Sequence, residues 1–113
     1  MRPHIIARQI HVDEATREYV MRRLQFALNR TLNRIGAITV RLVDENGPRG
    51  GIDKVCQVLL VLPGRASVVI TERASELHRA IDKAIHRAAH AASRAFGRQQ
   101  SGRRQVLPLI EGQ

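Results

Sequence analysis

The chain has no tryptophan, one tyrosine and two phenylalanines, so aromatics are only 3% of its 113 residues. The core must therefore be aliphatic, and little ring surface remains for stacking nucleic-acid bases. One cysteine, Cys56, excludes an intrachain disulfide and a cysteine metal cluster. It lies in an apolar run and reads as an inert core residue. No apolar run approaches the roughly 20 residues that span a bilayer. The opening Met-Arg-Pro-His-Ile-Ile-Ala-Arg lacks the apolar centre of a signal peptide. A cytoplasmic location and no membrane partner are expected. Lysine is scarce too, since Lys54 and Lys83 are the only two among 19 basic residues. No Ser-His-Asp, Cys-His or paired-carboxylate arrangement can be assembled, so neither an enzyme nor a cofactor is expected. Asp44, Glu45 and Asp53 fall in a Gly-rich loop and read as residues that keep it soluble.

What is present is positive charge on a chain able to fold. Hydrophobic residues reach 43%, enough for one modest core. Only 10 acidic residues oppose the basic ones, leaving a net charge of +9 and a pI near 11.5. Such an excess on a small domain points to a polyanionic partner. Arginine makes bidentate phosphate contacts and stacks on bases, so the arginine bias suits nucleic acid. A genome's codon composition would produce the same bias.

The stretch 74–96 organises the rest. Leu77, Ile81, Ala84, Ile85, Ala88, Ala92 and Ala95 recur at steps of three and four, the period of one helical face. Arg79, Lys83, His86, Arg87, His90 and Arg94 fall on the opposite side as one stripe. Ser75 is placed as N-cap, Glu76 in the first turn and Gly97 at the stop. Asp82 lies at the stripe's edge. The stripe is either a solvated helix face or a phosphate track, and its single sign favours the track.

Upstream, 4–12 holds a first strand near Ile5–Ile10. Asp13 then caps a helix running from Glu14 to about Leu32, with Gly36 closing it. Val20, Leu24, Ala27, Leu28, Thr31 and Ile35 form its core side. Tyr19, Arg22, Phe26 and Arg30 lie on the far side, with Arg23 close by. Residues 37–45 alternate as a half-buried strand, with Ile38, Val40 and Leu42 on one face. Residues 44–53 read as a hairpin loop, 54–62 as a third strand, Pro63-Gly64-Arg65 as a tight turn and 66–71 as a fourth strand. The order is β-α-β-β-β-α. The expectation is an α+β domain over 1–96, with both helices on one face of a four-stranded mixed sheet. Residues 97–113 are expected to form a basic, flexible tail. The other sheet face carries Val43, Leu59, Val61 and Val69, apolar enough to serve a partner or a weak homo-oligomer.

Three segments resemble the ribosome hibernation-promoting factor family, also called ribosome-associated inhibitors or sigma-factor modulation proteins. Val12-Asp13-Glu14-Ala15-Thr16-Arg17-Glu18-Tyr19-Val20 with Arg22-Arg23-Leu24 is similar to the family's first-helix opening. Gln57-Val58-Leu59-Leu60-Val61-Leu62-Pro63-Gly64 resembles its third strand and turn. Ala80-Ile81-Asp82-Lys83-Ala84-Ile85 with Arg87, His90 and Arg94 resembles its second-helix signature. The match covers roughly residues 4 to 96 in order. It implies a dsRNA-binding-like fold and binding to the small ribosomal subunit and its RNA, in the channel used by messenger and transfer RNA, during stress or stationary phase. The RNA-facing residues it implies are Arg8, Arg22, Arg23, Lys83, Arg87 and Arg94. The chain departs from the pattern at Ala7-Arg8-Gln9, where the family has Gly-Arg-His. It also places Ala84, Ala88 and Ala92 where the family has leucines. The chain is expected to be a short form, without the dimerisation domain of long members. That makes it a blocker whose tail could lie along the messenger path. The alternatives are a generic RNA- or DNA-binding module and a protein-interaction domain, neither with a ribosomal role.

Two further readings concern single residues. His86 and His90 stand four apart, a metal-ligand spacing. Arg87 occupies the position of a zinc-hydrolase glutamate and no third ligand is evident, so no metal is expected. Protonatable RNA contacts fit better, strengthening as pH falls through the ordinary histidine range near 6.5. Tyr19 and Phe26, among Arg22 and Arg30, either stack exposed bases or tuck against the neighbouring helix.

Overall fold

The computed structural model describes residues 3–45 and 53–106, with side chains up to residue 97. The elements run β1 (His4–Arg8), α1 (Glu14–Ala27), a 3-10 turn (Leu32–Arg34), β2 (Ala37–Asp44), β3 (Lys54–Val61), β4 (Val68–Ala74) and α2 (Leu77–Val106). The sheet order is β1-β2-β3-β4. β1 is parallel to β2, because a helix joins them, and the other two pairs are antiparallel. The expected α+β architecture is the one found. Alternation along the strands sets the two faces of the sheet. Val40, Leu42, Cys56, Val58 and Leu60 are buried in one core with Val20 and Leu24 of α1 and with Ile81 and Ile85 of α2. The three alanines Ala84, Ala88 and Ala92 are fully buried too, so α2 lies close over β3 and β4 with α1 beside it. Burial pushes the Cys56 thiol up to about 12, which removes its thiolate.

Several boundaries differ from the expected ones, each for a local reason. β1 stops at Arg8 because Gln9 takes φ 57 and turns the chain towards α1. α1 ends at Ala27 rather than Leu32. Leu28 is its C-cap, and the Leu28 carbonyl accepts from the Thr31 N–H at 2.9 Å and, in a longer contact of 3.4 Å, from the Thr31 hydroxyl. Asn29, Thr31 and Asn33 compete with the helical ladder, and the 3-10 turn follows. Leu28, Thr31 and Ile35 are still buried, although the chain that carries them is no longer α-helix. Gly36 does not end the helix. Its N–H donates to Val61 O at 2.7 Å, and a Cβ there would meet Pro63 Cγ at 3.1 Å. Gly64, at φ +79, follows Pro63 in the turn closed by Arg65 N–H on Leu62 O, as a type II turn requires.

β4 begins two residues later than expected and runs on to Ala74. Its charged end, Glu72 and Arg73, pairs with Cys56 and Val55 of β3, so charge here marks a strand rather than a loop. α2 starts at Leu77, and the Glu76 carbonyl accepts from Ala80 N–H at 3.1 Å, which puts Glu76 rather than Ser75 at the cap. Nor does α2 stop at Gly97, which is helical, like the residues on to Val106. A glycine inside a helix costs about 1 kcal/mol against alanine, and that alone does not end one. Of the expected tail, 107–113 lie outside the described residues, as do 46–52 of the expected loop. Asp53 is fully buried rather than solubilising. Lys54 Nζ lies 3.0 Å from Asp53 Oδ1 and 3.4 Å from Asp44 Oδ2. The Asp53 hydrogen bond is the main cause holding the Lys54 ammonium above its usual range.

Candidate nucleic-acid interface

α2 carries the charge because its opposite face is occupied by the core. At about 100° per residue, Arg79, Lys83, His86, Arg87, His90 and Arg94 share an arc of about 100°, and all six are exposed. Asp82 is the acidic residue that α2 itself carries beside this arc, and it turns towards α1. There it accepts a hydrogen bond from the Tyr19 hydroxyl at 2.5 Å. Arg23 Nε lies 3.2 Å from the same oxygen, a charge contact without hydrogen-bond geometry. The outer surface of α2 is thereby left with one sign of charge.

The arc has two margins. Towards β4, Lys83 Nζ donates to the Arg73 carbonyl at 3.1 Å and lies 3.5 Å from Glu72 Oε1. Arg87 pairs with the other oxygen of Glu72. The Arg87 hydrogen bond is the main cause holding the Glu72 carboxyl below its ordinary value. Both cations remain more than half exposed, so a phosphate could share them with Glu72. Towards α1, His86, His90 and Arg94 line a groove with Arg23, Phe26, Ala27, Ala89 and Ser93, about 460 Å³ in volume. The two imidazoles are 5.5 Å apart, tilted by 52°. Among the described residues no three His, Cys, Asp or Glu side chains cluster to hold a metal.

The remaining sequence candidates separate. Arg22 is exposed on α1, and Arg30 lies in the turn after it, lining a hollow with Asn29, Leu32, Asn33 and Ile35. Arg8 does not join the helices. It is paired in register with Val43, whose side chain alternates away from the core, so Arg8 occupies the far face of the sheet. Val61 and Val69 are exposed on that same face. Tyr19 is not on an outer surface for bases: its ring is stacked on His78, 4.3 Å between centroids and 8° between planes. Phe26 does not tuck under α2, and it is 76% exposed.

Two arginines escaped the sequence reading. The Arg34 and Arg65 guanidinium carbons sit 4.0 and 4.7 Å from the centroid of the buried Phe96 ring. Arg65 also lines a hollow of about 520 Å³ with Arg94, extending positive charge round this part of α2. Arg34 sits in a 3-10 turn and Arg65 in a tight turn, and nothing local in the sequence links either to Phe96.

Residues 4–100 match the family described as sigma 54 modulation protein / S30EA ribosomal protein. No curated protein sequence matches the chain significantly. Among solved structures, a ribosomal subunit interface protein from Coxiella burnetii superposes with a TM-score of 0.74 at 14% identity, over 86% of this chain and 99% of that one. The N-terminal domain of Thermus thermophilus Protein Y gives a TM-score of 0.65 at 24% identity, over 80% and 93%. At these identities the two neighbours bear on the fold alone.

Proposed function

The chain belongs to the sigma 54 modulation protein / S30EA ribosomal protein family, and from that membership we propose that it is a ribosome-associated translation inhibitor. It binds the small subunit through ribosomal RNA and occludes the path of messenger and transfer RNA. The observation that carries this reading is the exposed α2 arc, from which Asp82 turns away and in which Glu72 meets Lys83 and Arg87 while leaving both more than half exposed. An α+β scaffold carries that arc and the Arg22 and Arg23 side of α1, so binding does not have to order the backbone that bears them. Contacts from Arg and Lys go to phosphates, since side chains cannot read the deep groove of A-form RNA. Inhibition follows from overlap of volume, without chemistry.

Among the described residues no carboxylate pairs with Arg79 or Arg94. Replacing both by glutamate therefore leaves the fold's own contacts intact. The double variant is expected to stay folded, to lose co-sedimentation with small subunits and to lose inhibition of cell-free translation. The wild-type protein should yield to initiator transfer RNA with messenger. Its binding should weaken with salt at a log-log slope of about −0.7 to −0.9 per phosphate contact. Undiminished pelleting of the folded double variant would refute the reading. A preference for bulk duplex over subunits would instead support a generic nucleic-acid binder.

A further inference from the structure

We propose that the groove between α1 and α2 takes an unpaired nucleotide of RNA, its base stacked on Phe26 and its phosphates on Arg94 and Arg23. This rests on the RNA-binding reading above and adds to it a base site.

Phe26 is the most exposed large apolar residue among those described, at 76%. A single exposed phenylalanine is ordinary on a protein surface. Its surroundings are what set this one apart. It borders a groove whose other lining residues include Arg23 from its own helix and His86, His90 and Arg94 from α2. Ala27 and Ala89, both small and half-buried, line the same groove without bulk to cover the ring. Among the described residues both cation–π contacts go to Phe96, and no described arginine stacks on the face of Phe26. An apolar ring beside cations, in a recess of about 460 Å³, suits a ligand with a flat π-face and negative charge. An unstacked nucleotide has both, and base–aromatic stacking is how single strands are held. A base within a duplex is already stacked on its neighbours and offers no free face. The other polar lining is Ser93 and the two imidazoles. Every base has a π-face, so a site that holds by stacking should tolerate any base.

The test uses the full chain with a single-stranded RNA decamer carrying 2-aminopurine, and an RNA duplex of equal length. Stacking on Phe26 should quench the fluorophore on binding. Phe26→Ala should abolish the quench and weaken single-strand binding by roughly 5- to 150-fold. Its duplex affinity and salt slope should not change. Phe26→Trp should restore the quench. Because the ring is exposed, neither change removes core packing. Equal single-strand affinity in Phe26→Ala, or binding without quenching in the wild type, would overturn the base site. Either result leaves subunit co-sedimentation unaffected, whereas loss of the ribosomal reading would appear as failure of the wild-type protein to pellet with subunits.

Discussion

The Tyr19 hydroxyl donates to Asp82 Oδ1 at 2.5 Å, tying α1 to α2 between residues 63 positions apart. This bond turns a carboxylate away from the cationic arc and fixes the two helices that flank the groove. His78, one helical turn before Asp82, backs the Tyr19 ring. Helix packing and the charge beside the arc thus share one contact.

Tyr19→Phe keeps the ring stack and deletes the bond. Asp82 is partly exposed, so water replaces the lost donor in part. A stability loss of about 0.5–1.5 kcal/mol is expected in urea unfolding at pH 7. The Asp82 hydrogen bond is the main cause raising the Tyr19 phenol above 10.0. A raised acid contributes stability that is complete below its unfolded value and lost as pH climbs through the folded one. The wild type should therefore lose stability above about pH 10, and Tyr19→Phe should flatten that limb. Superimposable alkaline limbs would mean that the bond contributes nothing.

Glu72 behaves in the opposite sense. Arg87 and Lys83 hold its carboxyl below 4.5, so its contribution is present above that pH and lost as pH falls through the lower folded value. Glu72→Gln should cost about 0.5–1 kcal/mol at neutral pH, as expected for pairs with exposed partners, and should shrink the acid limb of the stability profile. It also releases Lys83 and Arg87 for phosphate, so RNA affinity should hold or rise. A fall in affinity would show that Glu72 positions these cations rather than competing for them.

Cys56 is fully buried in the central strand β3, its thiol pushed up to about 12. Native protein at pH 8 should not react with an aromatic disulfide reagent, and one thiol per chain should react after unfolding in urea. Prompt reaction in the native state would mean that β3 opens locally far more often than a core strand should.

Much of this molecule is legible along the chain. The step-of-three-and-four pattern in 77–95 places the core side of α2, and alternation at Ile38, Val40 and Leu42 places the core side of β2. Both signals survive because burial is periodic in a regular element. The limits of elements are less legible. Periodicity alone carries Leu28, Thr31 and Ile35 through a turn that is no longer α-helix, and it stops the fourth strand at Thr71, short of Glu72 and Arg73. The charges at this strand end are met by residues distant in sequence, Arg87 and Glu45.

By itself the sequence determines an aliphatic β-α-β-β-β-α domain with a stripe of basic residues along its last helix. These follow from side-chain volume, period and charge, which are local properties. Tertiary structure alone decides which cations act together. It sends Arg8 to the far face, binds Lys83 and Arg87 to Glu72, and sets Phe26 beside Arg94. Those outcomes depend on which elements lie side by side, and contacts across the fold are not a property of any single stretch.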